Sequence, residues 1–169
     1  MARQKAPGRM MHRAAVLTVS DSLAEGTRSE DASGDSAQEI LEDLSLKVER
    51  HHVADDAFAI EAGLRKLVAE GFSLVVTTGG TGLGPRDVTP EATSAVIERP
   101  APGLAEAMRA AGMAATPLAA LSRAVAGVAG ATLIVNLPGS PKAVSESLEA
   151  LRPVLPHALA TLRGDTSHG

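Results

Sequence analysis

Residues 74–93, LVVTTGGTGLGPRDVTPEAT, decide how the rest of the chain is read. The stretch opens on an apolar, largely β-branched run, Leu74-Val75-Val76. It passes through Thr77 and Thr78 into Gly79, Gly80, Gly82 and Gly84. Arg86 and Asp87 follow, just ahead of a helix start at Thr89-Pro90-Glu91. This is the pattern of a buried strand that ends in a glycine loop and crosses a charged pair into a helix. Glycine tolerates positive φ and lets another group approach the backbone closely. The loop N–H groups, or the helix N-terminus beyond them, can therefore hold an anion such as phosphate. The simpler alternative is a tight turn. Four glycines exceed what a turn needs, and Thr77, Thr78 and Thr81 add hydroxyls around the same loop. No Gly-Lys-Ser/Thr follows, so this is not a P-loop, and the G-x-G-x-x-G spacing of dinucleotide sites is missing.

Working outward, the same strand–helix alternation recurs. Residues 14–20 (AAVLTVS) read as a buried first strand ending in Ser20-Asp21-Ser22, with a polar loop over 23–32. Ser36 and Glu39 form a capping-box pattern for a helix beginning there or slightly earlier, near Ser33. Ala37, Ile40, Leu41 and Leu44 give that helix an apolar stripe. A weaker strand covers 46–53. Asp55 and Asp56 precede a helix over 57–70, whose apolar face is Ile60, Leu64, Leu67 and Val68. One of the two acids can serve as its N-cap. Thr89 can cap the helix after the glycine loop, with Pro90 at its first position. A short helix follows over 103–111, then a helical turn over 117–123. Residues 124–127 and 131–136 read as a small β-hairpin. The second arm leads into Asn136-Leu137-Pro138-Gly139-Ser140-Pro141-Lys142, a second strand–loop–helix element with Ser140 as cap. The last helix carries Val144, Leu148 and Leu151 on its apolar face and is interrupted by Pro153 and Pro156.

Composition narrows the chemistry. The chain has 169 residues, enough for one domain with a single core. It is 44% hydrophobic but only 1% aromatic, so the core is expected to be aliphatic, and the composition argues against stacking platforms for single-stranded nucleic acid. It has no Cys, which removes disulfides, thiolate metal sites and a cysteine nucleophile. The five His residues lack metal-ligand spacing. Net charge is −4, and four basic residues with no acid stand in 1–13, leaving 12 basic and 20 acidic residues beyond. An acidic body disfavours general nucleic-acid binding. Neither a signal-peptide core nor a membrane-length apolar run is present. A cytoplasmic protein is expected, with a flexible basic tail over 1–12, one α/β domain over 13–163 and a polar tail over 164–169.

Strands alternating with amphipathic helices predict parallel βαβ units in a three-layer αβα domain, a mostly parallel sheet carrying a small β-hairpin. In such sheets ligands bind beyond the carboxyl ends of the strands. Three loops leave those ends: 20–22, 78–87 and 136–142. They form one candidate site. Two helix N-termini and a glycine loop suit a phosphate-bearing ligand, with Arg86 and Lys142 to offset its charge. Asp87 would repel such a ligand unless a cation intervened, which suggests Mg²⁺. With Asp55 or Asp56 on the same face, metal-assisted phosphoryl or nucleotidyl transfer follows. The competing reading pairs Arg86 with Asp87 at the surface.

Five segments carry a resemblance: VLTVSDSLAEGTRSEDASG (16–34), TTGGTGLGPRDVTPEAT (77–93), PGLAEAMR (102–109), LSRAVAGV (121–128) and NLPGSPK (136–142). Over nearly the whole chain the sequence resembles the Mog/MoaB-type molybdenum-cofactor biosynthesis family, also found within gephyrin-like proteins. The resemblance implies the molybdopterin-binding α/β fold, a homotrimer or a hexamer of trimers, and molybdopterin adenylyltransferase activity. In that activity the terminal phosphate of molybdopterin attacks the α-phosphate of ATP with Mg²⁺, giving adenylylated molybdopterin and pyrophosphate for a downstream molybdenum-insertion protein. It implies Asp87 and Asp55 as catalytic and metal-binding acids, with Asp56 competing for the second place. Ser20, Asp21, Thr78, Gly79, Gly80, Thr81, Gly82, Pro138, Gly139, Ser140 and Lys142 would bind nucleotide and pterin. Glu106 matches a recurrent acid of unassigned role. A non-catalytic molybdopterin carrier of the MoaB type is the alternative.

Overall fold

The computed structural model describes residues 11–165, so most of the two expected tails lies outside the described residues. Six strands form one mixed sheet: β1 (Arg13–Val19), β2 (Lys47–Val53), β3 (Leu74–Thr78), β4 (Arg99–Pro100), β5 (Ala126–Ala129) and β6 (Thr132–Leu137), in spatial order β2-β1-β3-β6-β5-β4. β2, β1, β3 and β6 run parallel, whereas β5 returns antiparallel to β6 and β4 antiparallel to β5. The expected parallel core and hairpin are both present. The two-residue edge strand β4 had no signal, because Arg99-Pro100 is exposed and too short to show a period.

Period-two alternation splits the core into two layers. Ala14, Val16, Leu74, Val76, Leu133 and Val135 face one side, where helices α2 (Ala32–Asp43), α5 (Pro102–Ala115), α6 (Pro141–Leu151) and α7 (Leu155–Leu162) cover them. Ala15, Leu17, Val75 and Ile134 face the other, under α3 (Ala57–Ala69) and α4 (Thr89–Val96). A four-residue helix α1 (Asp21–Ala24) and a 3₁₀ turn over Pro117–Leu121 complete the described elements. The connection from β1 to β2 passes through α2 on one face, and that from β2 to β3 through α3 on the other. The winding direction therefore reverses between β1 and β3, and a crevice opens beyond their carboxyl ends.

Several local expectations change. α2 is capped by Asp31, not by the Ser36–Glu39 box: Asp31 Oδ1 accepts from the Gly34 N–H at 3.0 Å. The periodic stripe located the helix, but the apolar signal begins only at Ala37 and hid its first turn. Thr89 is not a cap either. It is the first residue of α4, Val88 is the N-cap with no side-chain bond, and Pro90 sits one place further in. α5 extends to Ala115, beyond the expected 103–111, because its alanines and methionines continue the helix until Thr116 and Pro117 stop it.

Asp31 also joins the parallel strands to α2. Its Oδ2 accepts from Thr18 Oγ1 at 2.6 Å and from Arg50 Nη2 at 2.7 Å, and His52 Nε2 stands 3.7 Å away. Burial works against the charged carboxylate, but the Thr18 hydroxyl, the Gly34 N–H and Arg50 outweigh it and hold the Asp31 carboxyl below the ordinary range. A depressed folded value contributes stability that is present above the unfolded carboxylate range and lost as pH falls through the folded value. Asp31→Asn is expected to cost about 1.5–3 kcal/mol near neutral pH, the worth of a hydrogen bond to a charged group. It should also shrink the loss of stability between neutral and acid pH, as read by urea unfolding across that range. An unchanged acid limb would remove this role from Asp31.

Candidate active site

The crevice is floored by the ends of β1, β3 and β6. At the end of β3 the backbone takes positive φ at two successive residues, Gly79 (92°) and Gly80 (71°). A Cβ on Gly79 would meet the Val19 carbonyl oxygen at 3.1 Å, and one on Gly80 would meet Thr89 Oγ1 at 2.3 Å. Both positions therefore require glycine for conformation and for space. Gly82 and Gly84 make room for Asp87: an added Cβ would fall 2.9 and 2.8 Å from Asp87 Oδ2 and push that carboxylate aside. The Asp87 carboxylate is folded back over its own loop, where Oδ2 accepts the Gly84 N–H at 2.9 Å.

Acids from two other segments gather beside it. Ser20 caps α1, with its Oγ accepting from the Leu23 N–H at 3.4 Å, and this turn presents Asp21. Asp21 Oδ1 accepts the backbone N–H of Asp55 at 2.8 Å, and its Oδ2 pairs with Arg86 Nη2 at 2.5 Å. Arg86 thus bonds to Asp21, not to its neighbour Asp87 as the surface-pair reading required. The Asp55 N–H and Arg86 together hold the Asp21 carboxyl below its ordinary value. Of the two neighbouring acids, Asp56 is the N-cap of α3, accepting from the Ala59 N–H at 2.9 Å. That leaves Asp55, whose Oδ1 is buried and accepts no hydrogen bond. Burial raises the Asp55 carboxyl above its ordinary range; Arg86 opposes this, while Asp21 and Asp87 add to it. Three carboxylates and one guanidinium leave this corner with excess negative charge.

On the other side of the glycine loop lies a cleft of about 440 Å³. Gly80, Thr81, Gly82 and Asp87 form one wall, Pro138 and Gly139 another, and α5 and α6 contribute Met108, Arg109 and Ser147. Asp87 is therefore common to the cleft and to the acidic corner. The loop after β6 is tied in by Ser33, whose hydroxyl donates to the Gly139 carbonyl at 2.5 Å. Ser140 caps α6 through the Ala143 N–H at 3.2 Å, as its sequence context predicts. Lys142 is 84% exposed and stands 3.9 Å from Glu146, at the rim. Thr78 Oγ1 is buried without a partner at the end of β3.

Two residues that sequence reasoning passed over organise the floor. The Asn136 side chain donates to Thr77 Oγ1 (3.0 Å) and Thr93 Oγ1 (2.9 Å) and accepts from the Val125 N–H (3.2 Å). Arg123 donates from Nε to the Gly82 carbonyl (2.8 Å) and from Nη2 to the Asp87 carbonyl (2.6 Å), and pairs with Glu91. LSRAVAGV carries part of the resemblance, but nothing in it sets Arg123 a role; the contacts of its side chain do. Among the described residues, no helix is long and apolar enough to cross a membrane.

A family model described as a probable molybdopterin binding domain matches residues 15–157. The chain is 44% identical over 154 residues to a molybdopterin adenylyltransferase of Helicobacter pylori, covering 89% of this chain and 87% of the relative. It is 43% identical over 157 residues to a molybdenum cofactor biosynthesis bifunctional protein of Synechococcus elongatus, covering 92% of this chain but about half (49%) of that longer relative. The fold is similar to the crystal structure of the molybdopterin biosynthesis enzyme MoaB from Thermus thermophilus, with a TM-score of 0.84 and 51% identity over 91% of this chain and 98% of that one. With a family match across most of its length and the same fold in its relatives, this chain belongs to the probable molybdopterin binding domain family.

Proposed function

We propose that this chain is a molybdopterin adenylyltransferase. The observation that carries the reading is Asp87, which belongs both to a cleft of ligand size and to a corner where Asp21, Asp55 and Arg86 meet. The relative of that name in Helicobacter pylori adds support. A carrier would need the cleft and its loops. It would not need a buried, unpartnered carboxylate oxygen set among like charges, which is costly to maintain without a task.

In this reading the cleft holds molybdopterin, with its terminal phosphate toward the glycine loop, and ATP lies toward the acidic corner. A phosphate oxygen of molybdopterin attacks the α-phosphorus of ATP; the bond to the β-phosphate oxygen breaks, and pyrophosphate leaves with that electron pair. The protein's part is to align the two phosphates and to meet the charge that develops between them. The backbone N–H groups after Gly79 and at the start of α6 face phosphate oxygens, and Arg86 and Lys142 balance charge at the rim.

The residues fit Mg²⁺. The acidic corner, with the buried Asp55 Oδ1 unpaired, offers oxygen donors to a hard cation. Among the described residues no cluster of three or more His, Cys, Asp or Glu side chains forms a metal site. An ion completed by phosphate and water oxygens needs only one or two carboxylates from the protein. Asp55 and Asp87 would hold it, and when bound it supplies neutralisation of the phosphate charge.

The same reading extends to a homotrimer or a hexamer of trimers, supported by the exposed Leu83 and Met113 outside the cleft. Sedimentation should show a trimer or its multiple, and a monomer at all concentrations would remove this part. Asp87→Asn should lower adenylyl transfer by a factor of hundreds, about 3–4 kcal/mol of transition-state stabilisation, while pterin affinity changes little. Asp55→Asn should behave alike and also weaken Mg²⁺ dependence, whereas Asp56→Asn should cost only helix-cap stability, about 1 kcal/mol. Wild-type turnover in Asp87→Asn would sink the assignment.

A further inference from the structure

Asp87 stands on a loop with no regular secondary structure between Gly79 and Val88. Four of its glycines carry no side chain to anchor it, and Leu83 is 66% exposed. Something else must hold the carboxylate in register with the cleft. Besides the Gly84 N–H on the Asp87 carboxylate and the exposed Arg86–Asp21 pair, the contacts that fix this loop converge on Arg123. Its backbone N–H donates to the Thr81 carbonyl at 2.9 Å. Nε donates to the Gly82 carbonyl at 2.8 Å and Nη2 to the Asp87 carbonyl at 2.6 Å. Nη1 meets the Glu91 carboxylate in the first turn of α4. One side chain thus joins both ends of the Gly82–Asp87 segment and the helix that follows.

The arginine is itself well anchored. The neighbouring Ser122 and Ala124 carbonyls accept from Arg109 Nη1 at 3.3 and 3.0 Å, and Val125 pairs with Asn136 through both its N–H and its carbonyl. Asn136 is fully buried in β6. A rigid path therefore runs from the sheet, through Asn136 and the 122–125 segment, to the loop that carries Asp87. A planar guanidinium can reach three acceptors in fixed directions at once; an ammonium on a flexible stem cannot.

We propose that Arg123 is the positioning residue of this site: it sets the distance of the Asp87 carboxylate from the cleft by clamping the Gly82 and Asp87 carbonyls, without touching substrate itself. This rests on the adenylyl-transfer reading of the cleft. The role predicts a particular signature, because misplacing a reacting group by about 1 Å costs roughly 100-fold in rate. Loss of the clamp should act on kcat, while the cleft walls supplied by α5 and α6 keep pterin affinity nearly intact.

The test compares Arg123→Lys, Arg123→Ala and Glu91→Gln with the wild-type chain. Three readouts are taken: amide hydrogen exchange, pterin binding, and adenylyl transfer from ATP with Mg²⁺. In Arg123→Lys, faster exchange is expected over residues 81–88 with the sheet amides unchanged. kcat should fall by about 10- to 100-fold, while pterin Kd should change by less than about threefold. Arg123→Ala should be at least as severe. Glu91→Gln, which keeps both carbonyl contacts, should retain kcat within about threefold of wild type. Unchanged exchange over 81–88 in Arg123→Lys, or kcat in that variant equal to wild type, would overturn the proposal. So would a Glu91→Gln variant that reproduces the loss, because the arginine would then be acting only through α4. If Arg123→Ala does not fold, the lysine variant decides. Should the wild-type chain itself transfer no adenylyl group, the functional reading fails, and hydrogen exchange still reports separately whether Arg123 holds the loop.

Discussion

The site depends on a backbone constraint at the end of β3, where Gly79 and Gly80 take positive φ in succession. An L-residue with a side chain is strained in that region, and here a Cβ would crowd the Val19 carbonyl at Gly79 and clash with Thr89 Oγ1 at Gly80. The turn throws the chain back across the carboxyl ends of the parallel strands instead of directly into α4. Everything with chemistry then follows from where that return path lies. It has the cleft on one side and the acids of the first two βα connections on the other, and it carries Asp87 between them.

Electrostatics explains why this arrangement suits a transfer reaction better than storage. Asp55 is penalised by burial and by its like-charged neighbours, and Arg86 offsets only part of that cost because it is already paired to Asp21. A fold selected for stability alone would remove such a group or pair it. Where a metal and phosphates arrive together, the same excess negative charge becomes a binding determinant for the cation, and the cation in turn makes the corner tolerable to phosphate. Asp31, 24 positions earlier in the sequence, is the contrast. It is also buried and acidic, yet a hydroxyl, a backbone N–H and a guanidinium satisfy it fully, which marks it as structural.

Much of this was legible in the sequence. The apolar runs around Val16, Val75 and Ile134 identified the buried parallel strands, and the stripes on α2, α3 and α6 put helices on both faces. Asp55-Asp56 before a helix told that one acid would cap and one would be left over; the structure made Asp56 the cap. What was hidden has physical reasons. The cap of α2 was misplaced because Asp31 lies in a polar loop with many capping candidates. Thr89 resembled a cap, but the loop return ahead of it gives Val88 the non-helical geometry. Arg86 was read as a counter-charge for phosphate, with a pair to Asp87 as the competing reading; it reaches Asp21, 65 positions away. Arg123 and Asn136 act through contacts distant in sequence, and no local pattern announces those.

The most direct measurement is identification of the products formed by the purified chain from molybdopterin, ATP and Mg²⁺, by mass spectrometry and phosphorus resonance. Adenylylated molybdopterin and pyrophosphate in equal amounts are the expected result. ATP left intact beside tightly bound pterin would contradict adenylyl transfer and leave a carrier. AMP without an adenylylated pterin would contradict it too, because water and not the pterin phosphate would then be the acceptor at this site.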